Sequence, residues 1–293
     1  MKRIYTLIIF AIFLVLLAAG CNGGKNTSTP IPTEIPATPT ATEVPMALKV
    51  NGDGVLLSEY QAELTRLQQA QTTLEKTATP EEQRDRVIED LTDQLLLSQA
   101  AVQNGYVVDN AAIQARIDAL AIEMGGVDKL TAWESTNGYN DESFKTALKR
   151  SIAVAWQRDQ IINTVQQTAN QVHARQILVQ DQANAESLYS QLEAGVDFAT
   201  LAYQLDPTTG GDLGWFPLGY LTQPDVETAA FALEPGKYSE IVQSDLGYHI
   251  IYMIERDANH TLSVDARRQL QEKKLAEWLQ AAKAAVKIEV LVQ

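Results

Sequence analysis

Between residues 58 and 165, apolar side chains recur every three or four positions, which predicts a run of amphipathic helices. Just before them, residues 47–57 set Val50 and Val55 around Asn51-Gly52-Asp53-Gly54, the pattern of a strand, a tight turn and a returning strand. After Ser58 the helical spacing opens with Tyr60, Leu64 and Leu67. Thr79-Pro80-Glu81-Glu82 combines an N-cap, a first-turn proline and a capping-box acid. It predicts a long helix over 80–104, with Val87, Ile88, Leu91, Leu95 and Val102 on one face and Gly105 as its stop. Asp109 caps another helix bearing Ile113, Ile117, Leu120 and Met124 as far as Gly125-Gly126. A short helix follows over 129–136, and a longer one from Asp141 carries Phe144, Leu148, Ile152 and Trp156 toward Val165. These stripes are what helix packing requires, and none of them looks catalytic. Long apolar faces with few aromatics are also able to form an open cradle.

From about residue 172 the pattern changes. Ala174-Arg175-Gln176-Ile177-Leu178-Val179 reads as a strand, and 185–194 as an amphipathic helix ended by Gly195. Asp197-Phe198-Ala199-Thr200-Leu201-Ala202 starts a second helix. A glycine-rich corner, Gly210-Gly211-Asp212-Leu213-Gly214-Trp215-Phe216, comes next, then Ala229-Ala230-Phe231-Ala232-Leu233-Glu234-Pro235-Gly236 with its turn, and the closing strand Leu246-Gly247-Tyr248-His249-Ile250-Ile251. Together they describe a small α/β unit. Beyond Asp257 a helix is predicted over 263–283, with Leu270, Leu275, Trp278 and Leu279 on its apolar face, and residues 287–292 alternate as a strand does.

Composition narrows the function classes. A formal charge of −14 over 293 residues, with no basic run longer than a pair such as Lys2-Arg3, repels phosphate backbones and argues against nucleic acid as a partner. Lys2-Arg3, an apolar run over 7–19 and small residues up to Gly20-Cys21 read as an export signal over 1–20; the run is too short for a bilayer span, which takes about 20 residues. Cys21, the chain's one cysteine, has no partner for an internal disulfide. Residues 22–46 are rich in Thr and Pro, holding five of the ten prolines, and read as an extended tether reaching roughly 80 Å at about 3.1 Å per residue.

Leu17-Ala18-Ala19-Gly20-Cys21 resembles a bacterial lipobox, whose cysteine is lipidated; Ala18 stands where that pattern prefers Leu. Lys49-Val50-Asn51-Gly52, several helices and then the α/β unit resemble, in order, the SurA and PrsA family of extracytoplasmic folding factors, and the four α/β blocks together resemble a parvulin domain. The resemblance implies an α+β fold in which a helical chaperone-like domain over 47–171 is completed by a C-terminal helix and strand over 258–293, with a parvulin domain inserted over 172–257. It further implies that residues 288–292 pair with a strand within 47–57. Its implied partners are unfolded, newly exported polypeptides, held at the outer face of the bacterial membrane through lipidated Cys21.

Rotation about a prolyl bond crosses about 20 kcal/mol set by amide resonance, and no covalent bond has to break. An apolar recess that excludes water favours the twisted amide over the planar one, so no metal, cofactor or nucleophile is expected. In the resembling family the site joins two histidines, an Asp or Cys, and a pocket of Met or Leu with Phe. His249 matches the second histidine; Gln176 stands at the position of the first, and His173 lies at odd spacing from it, on the opposite face of a regular strand. Asp206 matches the acidic position. Counting back from Phe231 places Val226 at the pocket phenylalanine and Leu221 or Thr222 at its neighbour. Val grips a proline ring with less area than Phe, each lost methylene costing about 0.8 kcal/mol. Trp215 and Phe216 read as packing residues, the neighbouring glycines as turn formers and Asp212 as a brace for that corner. Two alternatives stay open: a parvulin-fold chaperone without catalysis, to which Gln176 and Val226 point, and a solute-binding or scaffold surface lipoprotein.

Overall fold

The structure, a computed structural model, describes residues 44–292; the export signal, Cys21 and most of the tether lie outside them. The turn read around Asn51-Gly52 forms with both residues at positive φ and joins β1 (Met46–Val50) to β2 (Asp53–Leu56). α1 (Leu57–Thr73) follows directly, then α2 (Pro80–Gln103), whose Thr79 cap and Glu82 side chain make the reciprocal capping box. α3 (Asn110–Met124) is capped by Asp109, which accepts from the Ala112 amide, and ends on left-handed Gly125. α4 (Val127–Thr136) and α5 (Asp141–Ile162) complete the first helical run.

The inserted unit runs β3 (Thr168–Val179), α6 (Gln182–Glu193), α7 (Phe198–Leu205), β4 (Asp212–Pro217), α8 (Pro224–Ala232), β5 (Val242–Ser244) and β6 (Gly247–Thr261). Its sheet order is β4-β3-β6-β5, with every pair antiparallel. The central strands are longer than the expected 172–257 segment: the ladder starts at Thr168↔Thr261 and runs to Val179↔Tyr248. Its outer end, from Glu255 onward, is polar and mostly exposed, so it lacks the apolar signal of a buried strand although its backbone groups are paired. Alternation along the strands gives two cores. Ile177 and Ile250 meet Leu192 of α6 and Phe198, Leu201 and Ala202 of α7; on the other face Val172, Ala174, Phe216, Ile251 and Met253 meet Val226 and Ala230 of α8.

The chain then returns. α9 (Val264–Ala284), capped by Ser263, packs on α5 and α2, and β7 (Ile288–Val290) pairs antiparallel with β1 in the register Leu48↔Val290 and Val50↔Ile288. The first three-stranded sheet is therefore β2-β1-β7, closed by the far end of the chain as expected. Ile288, Val292, Trp278 and Ala282 pack against the core of Leu48, Val50, Val55, Tyr60, Val87, Leu91 and Leu95. Lys283 ties α9 to α2 through Glu89 at 3.2 Å and Asp93 at 2.7 Å.

One position in the expected α2 stripe is corrected. Val102 is 64% exposed, while Ala101 is buried. At about 100° per residue, a side chain 15 positions past Val87 has turned roughly 60° off its line, and one 14 positions past only about 40° the other way. Ending the chain after Ala285 removes β7 and the packing of Ile288 and Val292, and should cost about 2–4 kcal/mol. Urea unfolding followed by far-ultraviolet circular dichroism checks this; an unchanged midpoint would show that β7 contributes nothing to the domain it completes.

Candidate functional site

By strand parity, His249 lies on the same sheet face as Ile251 and Met253, and Gln176 on the face of Val172 and Ala174, directly opposite Ile251. Both therefore face the α8 side. The imidazole of His249 is 1% exposed, with Nδ1 2.8 Å from Oε1 of Gln176 and Nε2 2.6 Å from Oγ of Ser244. The Leu246 amide donates to that same Ser244 oxygen at 3.0 Å, leaving the hydroxyl hydrogen for Nε2. Nε2 then accepts, and Nδ1 carries the proton it donates to Gln176. Burial lowers the His249 pKa below its ordinary value, so the ring is neutral at pH 7.

Beside this triad lies the apolar cluster of α8. Val226 is 2% exposed, and Leu221 and Phe231 pack partly buried around it, the Phe231 ring meeting Phe216 edge-on at 6.1 Å. Of the two candidate neighbours, Leu221 joins the cluster; Thr222 is exposed and its hydroxyl donates to Gln223. The loop bearing Leu221 is shaped by Glu227. This buried carboxylate accepts from the amides of Gly219 (2.7 Å), Tyr220 (2.8 Å) and Leu221 (2.9 Å). Val242, paired across from His249 on β5, closes the cluster on that side.

Asp206 sits at the C-terminus of α7. Its carboxylate accepts from the Thr209 hydroxyl and from the Thr209, Thr208 and Gly211 amides, which hold its pKa below the ordinary value. The loop it shapes is braced against the site: the Gln176 amide donates to the Gly211 carbonyl at 2.8 Å. Gly211 has φ +68°, and a Cβ there would collide with the Gln176 carbonyl, so only glycine fits. Asp206 thus reaches the site through Gln176's backbone, while both His249 nitrogens belong to Gln176 and Ser244. His173 lies on the other face, 2.9 Å from Asp212 and tilted against Trp215, which stacks on His260 at 4.1 Å. Sequence reasoning missed Ser244 and Glu227. Ser244 has a signal only once β5 and β6 are known to be a hairpin, and Glu227 only once its burial is known.

Residues 167–255 match the family model described as the PPIC-type PPIASE (Rotamase) domain, and residues 1–158 match the SurA-like N-terminal domain. Fold and matches define the class: a SurA-like helical domain carrying an inserted parvulin-type peptidyl-prolyl cis-trans isomerase domain. Foldase protein PrsA of Geobacillus sp. (strain WCH70) is 35% identical over 127 residues, 42% of this chain and 45% of that protein. Foldase protein PrsA of Caldanaerobacter subterraneus subsp. tengcongensis is 48% identical over 85 residues, 27% of this chain and 28% of that protein. Foldase protein PrsA 2 of Bacillus cereus is 27% identical over 220 residues, 70% of this chain and 75% of that protein. The match thus spans less than half of the first two relatives. A crystal structure of the peptidylprolyl isomerase PrsA from Bacillus anthracis aligns at 28% identity and TM-score 0.42, covering 66% of this chain and 96% of that one. The chain belongs to the PrsA-like foldase family.

Because folding keeps His249 neutral, its contribution to stability is complete above the unfolded pKa of about 6.5 and is lost as pH falls through the lower folded value. Urea midpoints measured across that range should fall toward acid more steeply in the parent than in a His249→Gln variant. Identical slopes would show that the imidazole is not held neutral.

Proposed function

We propose that the inserted domain catalyses cis-trans isomerisation of prolyl bonds in unfolded, exported polypeptides, and that the helical domain holds those clients. The observation that carries this reading is the neutral His249, clamped by Gln176 and Ser244 on the sheet face against which Val226 and Phe231 of α8 and Leu221 of the preceding loop pack. In it, the partly buried Leu221 and Phe231 receive the proline ring, over a floor formed by the buried Val226. His249, buried and with both nitrogens satisfied, is a fixed uncharged backing to that floor rather than a proton donor or acceptor. Isomerisation transfers no proton, so a saturated imidazole is compatible with catalysis: the site has to be dry, shaped and rigid. Gln176 fills the histidine position by accepting the hydrogen bond from Nδ1–H of His249, Asp206 positions Gln176 through the Gly211 loop, and Thr222 forms the solvent side of the rim.

A prolyl peptide exchange assay on the full chain tests the reading. The parent should exceed the uncatalysed rate, and Ser244→Ala, which removes one buried hydrogen bond from the imidazole, should lower kcat/KM about tenfold. Suppression of client aggregation should be unchanged by that substitution. A parent rate no faster than the uncatalysed background, with aggregation still suppressed, would reduce the protein to a holder of unfolded chains. Solute binding without any effect on clients would favour a surface scaffold.

The proposal includes a lipid anchor at Cys21 on the outer face of the bacterial membrane, supported by the signal, cysteine and tether order of the sequence. Cells expressing Cys21→Ala should lose fatty-acid label from the protein and release it from the membrane fraction. Retention of both label and membrane association would exclude this anchor.

A further inference from the structure

The 218–222 loop turns from β4 into α8 and carries Leu221 to the apolar cluster. Its amide side is satisfied from within the inserted unit by Glu227. Its carbonyl side is held from outside: Nε2 of Gln269, on α9, donates to the Tyr220 carbonyl at 2.6 Å. A cavity of about 220 Å³ opens there, lined by Leu218, Leu270 and Lys273 among others, and Leu218 is 61% exposed. Gly219, at φ +90°, passes so close to α9 that a Cβ would lie 2.6 Å from the Lys273 ammonium. The loop is thus tied to α9 through the Tyr220 carbonyl and lies against the Lys273 side chain.

We propose that Gln269 is a positioning residue for the proline recess: α9 fixes the edge formed by Tyr220 and Leu221 through this carboxamide. The proposal rests on the prolyl isomerase reading for its effect on substrate, though not for its effect on the loop. α9 is anchored independently by Lys283, Trp278 and β7, so losing the Gln269 side chain removes no core contact of the helical domain. A helix built into one domain thereby sets the width of a recess in the other.

The test uses the full chain with Gln269→Ala, which deletes the donor, and Gln269→Lys, which restores one. In Gln269→Ala, amide hydrogen exchange at Gly219, Tyr220 and Leu221 should quicken, and KM for a prolyl peptide should rise about three- to tenfold with kcat within about twofold. Gln269→Lys should return both toward the parent, and all three proteins should share one urea midpoint. Unchanged exchange in Gln269→Ala, faster exchange with unchanged KM, or failure of Gln269→Lys to restore either quantity would overturn the assignment. If the parent shows no isomerase rate, the prolyl reading fails, and the exchange data alone decide whether α9 holds the loop.

Discussion

The antiparallel ladder between β3 and β6 is the constraint on which the rest of the structure depends. Its register sets Leu178 against His249 and Gln176 against Ile251, which puts the carboxamide and the imidazole on one face within hydrogen-bonding reach. A slip of one residue in either strand would move its partner to the opposite face, where α6 and α7 fill the space. The register is held by Ile250 and Ile251, consecutive and both fully buried, each committed to a different core. Packing on both sides of one strand thus decides where a polar side chain arrives, and the site inherits its geometry from apolar contacts.

Within that frame, polar groups are placed by mutual satisfaction. His249 would be costly to bury with either nitrogen unpaired, and Gln176 and Ser244 meet both needs without a charge. Glu227 is the same principle with a charge present: a carboxylate rarely stays buried, and this one does so by accepting three backbone amides of a loop that has no strand to pair with. The apolar cluster is therefore bordered by two saturated polar units, one in the sheet and one under the loop. Neither is free to rearrange without exposing an unpaired group.

What could be read from the sequence follows the range of the interactions. The Thr79 capping box, the Asn51-Gly52 turn and the Asp109 cap are local, and a few neighbouring residues determine them. The closure of β1 by β7 is remote, and became legible through resemblance rather than through the alternation of residues 287–292 alone. His249 and Gln176 stood out because they fall at the two histidine positions of the parvulin motif that the segment resembles. Ser244 and Glu227 did not, since a serine before a turn and an acid in a short helix are ordinary on a surface. Only tertiary contact distinguishes them. Val102 misled because a straight helix drifts off any single line of residues over four turns, and Ala101 came to face α5 instead.

The inserted position of the prolyl domain has its own mechanical consequence. A domain joined by one flexible linker reports nothing to its neighbour, whereas this one is entered from α5 and left through β6 into α9 with only Leu262 and Ser263 between. Leu262 is itself buried, and its amide bonds the Gln167 carbonyl, so the exit strand and the entry strand are pinned together at the boundary. α9 is thus held at both ends: its first turns adjoin the 218–222 loop, and its last turns lie in the core that β7 completes. The boundary is therefore uneven: on the sheet side the chain is pinned by the Leu262–Gln167 hydrogen bond, whereas beside Leu218 and Leu270 the space is unfilled, and it is there that the Gln269 carboxamide, rather than apolar packing, holds the loop.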